Sequence, residues 1–423
     1  MFPIGSETCR NRRAIGAILS PGPARADVSA AHGGSAVISH SLPEIEMSEF
    51  RFIHVSDLHL GRRYANIPQP EDGNIRGRLM EARHGTIERI AAAARDHGAE
   101  HVLVAGDSFD TPTPSDVVLR QALSAMGRDP DIMWWLLPGN HDNLRDGEPL
   151  WEQIARQAPQ NVRPLTRAEP VSLRPDVTLL PCPVTYRSAG RDLTECLPRM
   201  PSAEGALRIG LAHGGVVDFV EAGDNIPPDR DRSARLDYLA LGDWHGRMAV
   251  GPRVQYSGTP EQDRFKHDRR GVALAVTLEG VGMPPRIEEM PIGQFHWSSI
   301  ELPLYHGQDA AQALAALLPA EGRRDALVRV NATGWSSLPE HDALTTAAAR
   351  IAPDFAHFEL RAEDLQIAHD DADLDEIDQA GALRKAAETL QEESRSQTLS
   401  QEDRDISSAA LARLYSYVKE DAR

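Results

Sequence analysis

The sequence predicts an α/β protein, followed by a smaller βαβαβ unit and a helical tail. Two observations carry that fold class. From Phe50 onward, short apolar runs of strand length alternate with segments of helical period. That alternation marks a largely parallel sheet covered by helices. Five of the runs are also followed within a few residues by oxygen or imidazole side chains. Asp57 and His59 follow Phe52-Ile53-His54-Val55, and Asp107 follows His101-Val102-Leu103-Val104. Asn140 follows the run 133–137, His213 follows 207–211, and Asp243 and His245 follow 238–241. Strand ends that each deliver a ligand are how one face of such a sheet gathers a metal site.

Taken in order, residues 1–46 mix Gly, Pro, Ser and Arg without a sustained period. They read as a disordered extension, or as sequence ahead of a true start at Met47. The apolar run 14–19 behind Arg10, Arg12 and Arg13 has the outline of an export signal, but Pro21-Gly22-Pro23 cuts it short. Residues 47–297 read as the catalytic domain. Within it, 84–97 has helical spacing and closes on Gly98, and 115–126 repeats the pattern with Ser115 as N-cap. After Arg163 the segments shorten and turn residues multiply, which reads as a second, more antiparallel sheet. Residues 254–260 read as a strand running into a loop, and 271–278 and 286–290 as closing strands.

Residues 298–361 read as a cap, with strands 298–304, 326–333 and 355–361 around helices 309–318 and 340–351. Residues 362–423 read as an acidic linker and two helices, 379–394 and 407–419. Ala410, Leu411, Leu414, Tyr415 and Val418 form one stripe on the last helix. That stripe either packs on its own protein or docks a partner.

The net charge is −18, and about −12 of it falls after position 300. This argues against a generally basic nucleic-acid surface yet leaves the catalytic face balanced. Three cysteines, Cys9, Cys182 and Cys196, without metal-site spacing point to a reducing, cytoplasmic interior. No apolar stretch approaches the roughly 18 residues of a membrane span.

Hard divalent ions prefer carboxylate, amide oxygen and imidazole. Asp57 and His59 stand two apart, so a strand end turns both to one side. Asp107 has two oxygens and suits a bridging position, while Asn140 adds a neutral oxygen that limits the charge. Two ions roughly 3.5–4 Å apart can stabilise both the attacking and leaving oxygens of an in-line displacement at phosphorus. His141, next to Asn140, is placed to act as general acid, oriented by Asp142 or another carboxylate. Arg62, Arg63, Tyr64, Tyr256, Arg264, Lys266 and His267 are candidate substrate contacts, and the charges among them read equally well as solvated loops. Trp244 either stacks a base or packs against the cap.

Each cluster alone is common. The ordered set resembles the calcineurin-like metallophosphoesterase superfamily and, within it, the SbcD-type DNA-repair exonucleases. Val55-Ser56-Asp57-Leu58-His59-Leu60-Gly61, Pro138-Gly139-Asn140-His141-Asp142 and Tyr256-Ser257-Gly258-Thr259-Pro260-Glu261 carry the likeness, with the βαβαβ block. It spans about residues 50–361. The resemblance implies a four-layer α/β/β/α sandwich and a site for two divalent ions, Mn²⁺ first and Mg²⁺ second. It assigns Asp57, His59, Asp107 and His245 to one ion. Asp107, Asn140, His213 and position 243 go to the other, and His141 becomes the catalytic histidine. It further implies DNA as substrate, an SMC-like ATPase docked through the C-terminal helices, and leaves a homodimer open.

One position departs. The family has Gly-His-x-His where this chain has Gly242-Asp243-Trp244-His245. Asp243 can coordinate directly, hold its ion through water, or mark a divergent member with altered or lost activity. The expected function is therefore a DNA phosphodiesterase, 3′-to-5′ exonucleolytic with single-strand endonuclease activity open. The alternatives are a phosphodiesterase or phosphatase for small nucleotides or phosphoproteins, since one metal core serves all of these, and a non-catalytic scaffold subunit.

Overall fold

Alternation along β1 (Phe50–Val55) sets the layering of the molecule. Ile53 and Val55 point into one apolar cluster, Phe50 and Phe52 into another, as a strand buried on both faces requires. The computed structural model describes residues 49–421 except 71–72, 146–148, 188–190, 217–224, 306, 369–370 and 379. The extension expected over 1–46 lies outside the described residues.

Behind β1 come α1 (Ile75–His84), α2 (Thr86–His97), β2 (His101–Val104), α3 (Asp116–Met126), β3 (Met133–Leu136), α4 (Leu150–Gln157) and β4 (Val162–Pro164). Next are β5 (Val171–Arg174), β6 (Val177–Cys182), β7 (Leu207–His213), α5 (Arg230–Ser233), β8 (Tyr238–Gly242), β9 (Met248–Ala249) and β10 (Val254–Tyr256). β11 (Val272–Leu278) and β12 (Arg286–Pro291) follow. One six-stranded sheet has the order β12-β11-β1-β2-β3-β4, and a second has the order β5-β6-β7-β8-β10-β9.

Three apolar layers make the sandwich. Ile87 and Ile90 of α2, Leu119 and Leu123 of α3 and Ile154 of α4 cover the outer face of the first sheet. Phe52, Leu103 and Val276 meet Leu179, Ile209 and Tyr238 between the sheets. Leu180, Leu239 and Leu241 close the far side against Leu197 and Leu236. Each such side chain, fully buried, contributes about 1.5–3 kcal/mol. The result is the α/β/β/α arrangement that the resemblance implied.

Two expectations are corrected. The second sheet is not mainly antiparallel: β6, β7, β8 and β10 are all parallel, and only β5 and β9 at its edges run the other way. Parallel neighbours need a crossover of about a dozen residues. The described residues of the stretches 183–206 and 214–237 supply it with the short 3₁₀ helix Leu193–Arg199 and with α5, too little helical sequence to announce a crossover. Helix α1 was not foreseen, because four of its ten residues are charged and only Ile75, Leu79 and Ala82 form its buried apolar side.

The βαβαβ block is present as β13 (His296–Leu304), α6 (Ala310–Leu317), β14 (Ala326–Ser337), α7 (Leu338–Ile351) and β15 (His357–Arg361), its three strands parallel. An unforeseen strand, β16 (Leu365–Ala368), pairs with the far end of β14. Ser337 and Glu340 form a reciprocal capping box that starts α7 directly at the end of β14. Phe295, Trp297 and Leu327 pack on Ile75, Leu79 and Ala82 of α1, which seats the third sheet on the first.

The tail holds α8 (Asp371–Ile377), α9 (Ala382–Arg395) and α10 (Gln401–Asp421). Leu411 and Tyr415 of the α10 stripe are buried with Leu374, Ile377, Ala387 and Leu338, and Leu414 and Val418 pack against them. The stripe is therefore spent inside the molecule. Among the described residues no helix is long and apolar enough to cross a membrane.

Candidate metal centre

Five loops, after β1, β2, β3, β7 and β8, converge at one end of the two facing sheets. Their backbone is forced to turn sharply. Among the described residues six non-glycine residues have φ in the left-handed region, and four of them are Asp57 (55°), His59 (43°), Asp107 (55°) and Asp243 (98°). Such conformations cost about 1–3 kcal/mol each and persist where surrounding structure over-determines them. Here the loops hold one another. Asp57 N–H donates to the Gly106 carbonyl, and His59 N–H to the Asp107 carbonyl at 2.9 Å. Glycine is required where they touch: a Cβ at Gly139 would stand 2.1 Å from Asp107 Oδ1, and one at Gly242 1.9 Å from the Ala105 carbonyl.

The side chains then meet. Asp107 lies between two imidazoles, with Oδ2 3.5 Å from His59 Nε2 and Oδ1 3.5 Å from His213 Nε2. His59 Nε2 and His245 Nε2 approach to 3.2 Å, and Asp57 Oδ1 is 4.0 and 3.9 Å from them. Asp57, His59 and His245 form one donor cluster, Asp57, Asp107 and His213 a second, and His59, Asp110 and His141 a third. Asp57, His59, Asp107 and His213 are buried. Asp243 stands at the rim, its Oδ1 3.8 Å from His213 Nε2, and accepts a hydrogen bond from Asn140 Nδ2 at 2.8 Å. That bond engages the amide nitrogen of Asn140 and leaves its side-chain oxygen for other use.

The profile described as Calcineurin-like phosphoesterase matches residues 50–276. The chain belongs to this family. As a calcineurin-like phosphoesterase it is a metal-dependent hydrolase of phosphoesters. It is 22% identical over 261 residues to the DNA double-strand break repair protein Mre11 of Sulfurisphaera tokodaii, a match that covers 58% of this chain and 64% of that protein. The chain thus spans a little under two thirds of that relative. A crystal structure of TT1561 of Thermus thermophilus aligns with 57% of the chain and 99% of its own, at 10% identity and a TM-score of 0.36.

The donor set of this phosphoesterase fits divalent cations. Three carboxylates, an amide oxygen and three imidazoles are what ions of that hardness take. Two buried atoms carry the test: Asn140 Oδ1 and His213 Nε2 have no hydrogen-bond partner among the described residues. A buried polar atom left unsatisfied costs about 1–3 kcal/mol, and coordination removes that cost.

The electrostatics agree. Burial alone would lower the His213 pKa, but the carboxylates of Asp107, Asp57 and Asp243 outweigh it and raise it to about 9. Burial, reinforced by Asp142 and Asp57, pushes Asp107 well above the usual carboxylate range. Without metal the facing pair of His213 and Asp107 therefore holds a proton at neutral pH, and ligation needs both groups bare. Metal binding is expected to release about one proton near pH 7 and to tighten as pH rises toward 9. Calorimetry in buffers of different ionisation enthalpy reads the proton count; a heat independent of buffer contradicts it.

Residues not singled out beforehand complete the site. Asp263, buried, accepts from His245 Nδ1 at 3.1 Å, and Asp110 Oδ1 lies 3.2 Å from His59 Nδ1. Burial would raise the Asp263 carboxyl, but the His245 bond and the Arg83 and Arg62 charges hold it well below its ordinary value. Carboxylates behind ligating imidazoles fix ring orientation and tautomer. Asp263→Asn is expected to weaken Mn²⁺ binding about 10–100-fold with the fold retained, as read by calorimetry and circular dichroism. Arg83, buried at the end of α1, donates to the carbonyls of Leu58 and Glu261 and to the Tyr64 hydroxyl, and so ties the first ligand loop to the last.

Several expected roles change. Asp142 does not orient His141: its carboxylate accepts from the backbone of Gly139 and Phe109, while His141 Nδ1 faces the Asp110 carbonyl at 3.0 Å. Asp142 is a positioning residue for the loop. Tyr64 and Tyr256 are 2% and 1% exposed, the latter donating to the Gly214 carbonyl at 2.6 Å. Both support ligand loops instead of meeting substrate. Arg62 is half-buried between Asp110 and Asp263, 3.2 and 3.5 Å away. Arg264 remains at the surface, 3.1 Å from His245 Nδ1. Trp244 packs on the outer side of the second sheet, with Lys266 over its ring at 4.6 Å and His267 at 5.1 Å.

Proposed function

We propose that this phosphoesterase is a DNA nuclease, a 3′-to-5′ exonuclease that also cuts single strands internally. The convergence of His59, Asp107, His213 and His245 from four strand ends supports hydrolysis at phosphorus, and the Mre11 relative supports DNA as the polymer. In this reading the body is 47–297, the cap 298–361 and the tail 362–423. The residues of the two clusters hold two divalent ions, Mn²⁺ in preference to Mg²⁺. When bound, such ions polarise the phosphoryl group and favour ionisation of the attacking water.

The chain's own residues do the rest. A cavity of about 580 Å³ beside the ligands is lined by Asp110, Asn140, His141, Arg145, Tyr186 and Arg187. It is of a size for one nucleotide, with cations for phosphate and an exposed tyrosine for a base. The Asp110 carbonyl engages Nδ1 of His141, which leaves Nε2 to deliver a proton to the departing oxygen. The same cavity would also suit a small nucleotide, the competing reading.

An SMC-like ATPase is the proposed partner. Since the α10 stripe is buried, the tail would meet it through exposed Leu383, Ile406 and Tyr417. A cytoplasmic, homodimeric enzyme completes the proposal. The assay is purified protein with Mn²⁺ and DNA labelled at either end, beside cyclic dinucleotides and p-nitrophenyl esters. Stepwise shortening from the 3′ end is expected. Cleavage of small esters alone, with DNA intact even when the ATPase is added, overturns the nuclease reading.

A further inference from the structure

We propose that Cys182 and Cys196 form a reversible oxidation site, in which a peroxide converts the two thiols to a disulfide that tightens on the metal loops. Cys182 ends β6 and is buried; Cys196 lies in the 3₁₀ helix Leu193–Arg199 packed beside it and is partly exposed. Their sulfurs stand 3.8 Å apart, both free. A disulfide needs about 2.05 Å, a closure that a short mutual approach of that helix and the end of β6 completes.

The two thiols differ in the way a reacting and a resolving cysteine must. The hydrogen bond from Cys182, with the charge of Arg199 adding to it, brings Cys196 down to about 7, while its contact with Cys196 and its burial push Cys182 up. The accessible sulfur is therefore the nucleophile. The Cys196 thiolate attacks one oxygen of hydrogen peroxide, the O–O bond breaks, and the released hydroxide takes up the thiol proton as water. Cys196 is now a sulfenic acid. The Cys182 sulfur attacks the Cys196 sulfur, the S–O bond breaks, and the hydroxyl leaves as a second water with the Cys182 proton. Two thiols lose two electrons in all and one peroxide gains them.

The position of Cys182 gives the bond its consequence. It pairs in register with Ala212, the residue before His213. Two residues further on, Val184 N–H donates to the Pro138 carbonyl and the Val184 carbonyl accepts from Leu144 N–H. These bonds flank the turn that carries Asn140 and His141. Pulling Cys182 toward the helix shifts both segments away from the arrangement that brings Asn140 Oδ1 and His213 Nε2 into the site.

The test treats the full chain with one equivalent of hydrogen peroxide and maps unreduced peptides by mass spectrometry. A Cys182–Cys196 linked pair, two hydrogens lighter and released by dithiothreitol, is expected. Cys182→Ser should leave Cys196 as a sulfenic acid that dimedone traps, and Cys196→Ser should leave Cys182 unreacted. An unreactive Cys196, overoxidation without a link, or a link through Cys9 overturns the site. Calorimetry with Mn²⁺ reads the coupling: oxidised protein is expected to bind at least about fivefold more weakly than reduced, with no such difference in Cys196→Ser. Equal affinities overturn the coupling. That arm rests on the metal reading, so reduced protein that binds no Mn²⁺ overturns coupling and metal reading together, while the linked peptide still decides the pair.

Discussion

Replacing Asp107 by asparagine is expected to abolish hydrolysis and metal binding together while leaving the protein folded. Asp107 is the side chain that faces both imidazole groups, at 3.5 Å from His59 and from His213. Asp57 shares both donor clusters but stands 4.0 Å from His59, and Asp243 stands at the rim, so neither takes over the position of Asp107 between the two rings. Its Oδ1 also accepts the His141 N–H at 2.9 Å, and the amide oxygen of asparagine preserves that bond. The variant should therefore keep its circular dichroism and its metal-free melting curve near those of the parent. It should lose the stabilisation that Mn²⁺ gives the parent, about 2.7 kcal/mol at a hundredfold excess over the dissociation constant. A thermal shift that survives in Asp107→Asn would place the ions elsewhere.

His141→Ala is expected to separate chemistry from binding. As a general acid His141 should contribute about 10²–10⁴-fold to turnover, and the variant should lose that factor with Mn²⁺ affinity unchanged. The contrast matters because His141 also belongs to a donor cluster with His59 and Asp110. Were it a ligand, affinity would fall with the rate. A leaving group of low pKa, such as p-nitrophenolate, needs little protonation, so the variant should recover most of its rate on that ester. Equal loss on both substrates would argue against proton delivery by His141.

Much of the site lies open in the sequence because strand ends are local events. An apolar run followed by Asp57 and His59, or by Asp107, states both a strand and its direction. The supporting residues are hidden for the converse reason. Asp263 sits among Arg264, Lys266 and His267, a stretch that reads as surface charge, and only tertiary folding brings it 3.1 Å from His245. Tyr64 and Tyr256 mislead in the opposite sense: both adjoin motifs, yet burial is decided by distant neighbours such as Arg83 and Gly214. Asp142 follows His141 in sequence, but its carboxylate folds back onto the backbone of Gly139 and Phe109 while the His141 ring faces the Asp110 carbonyl. In the fold, the parallel core of the second sheet escaped notice because the described residues of its crossovers contain so little helix. Helix α1 escaped because charge outnumbers its apolar face.

Position 243 shows how a departure is absorbed. A carboxylate there accepts from Asn140 Nδ2, leaving the buried Asn140 Oδ1 free for an ion, and adds to the field that raises the His213 pKa. The family's usual imidazole would bring no such charge.

The most direct measurement of the central claim is the number and position of bound ions. Crystals grown with Mn²⁺ and examined by anomalous scattering are expected to show two peaks, one among Asp57, His59 and His245, the other beside Asn140 and His213, with Asp107 between them. A single peak elsewhere, or none at saturating Mn²⁺, would contradict the account.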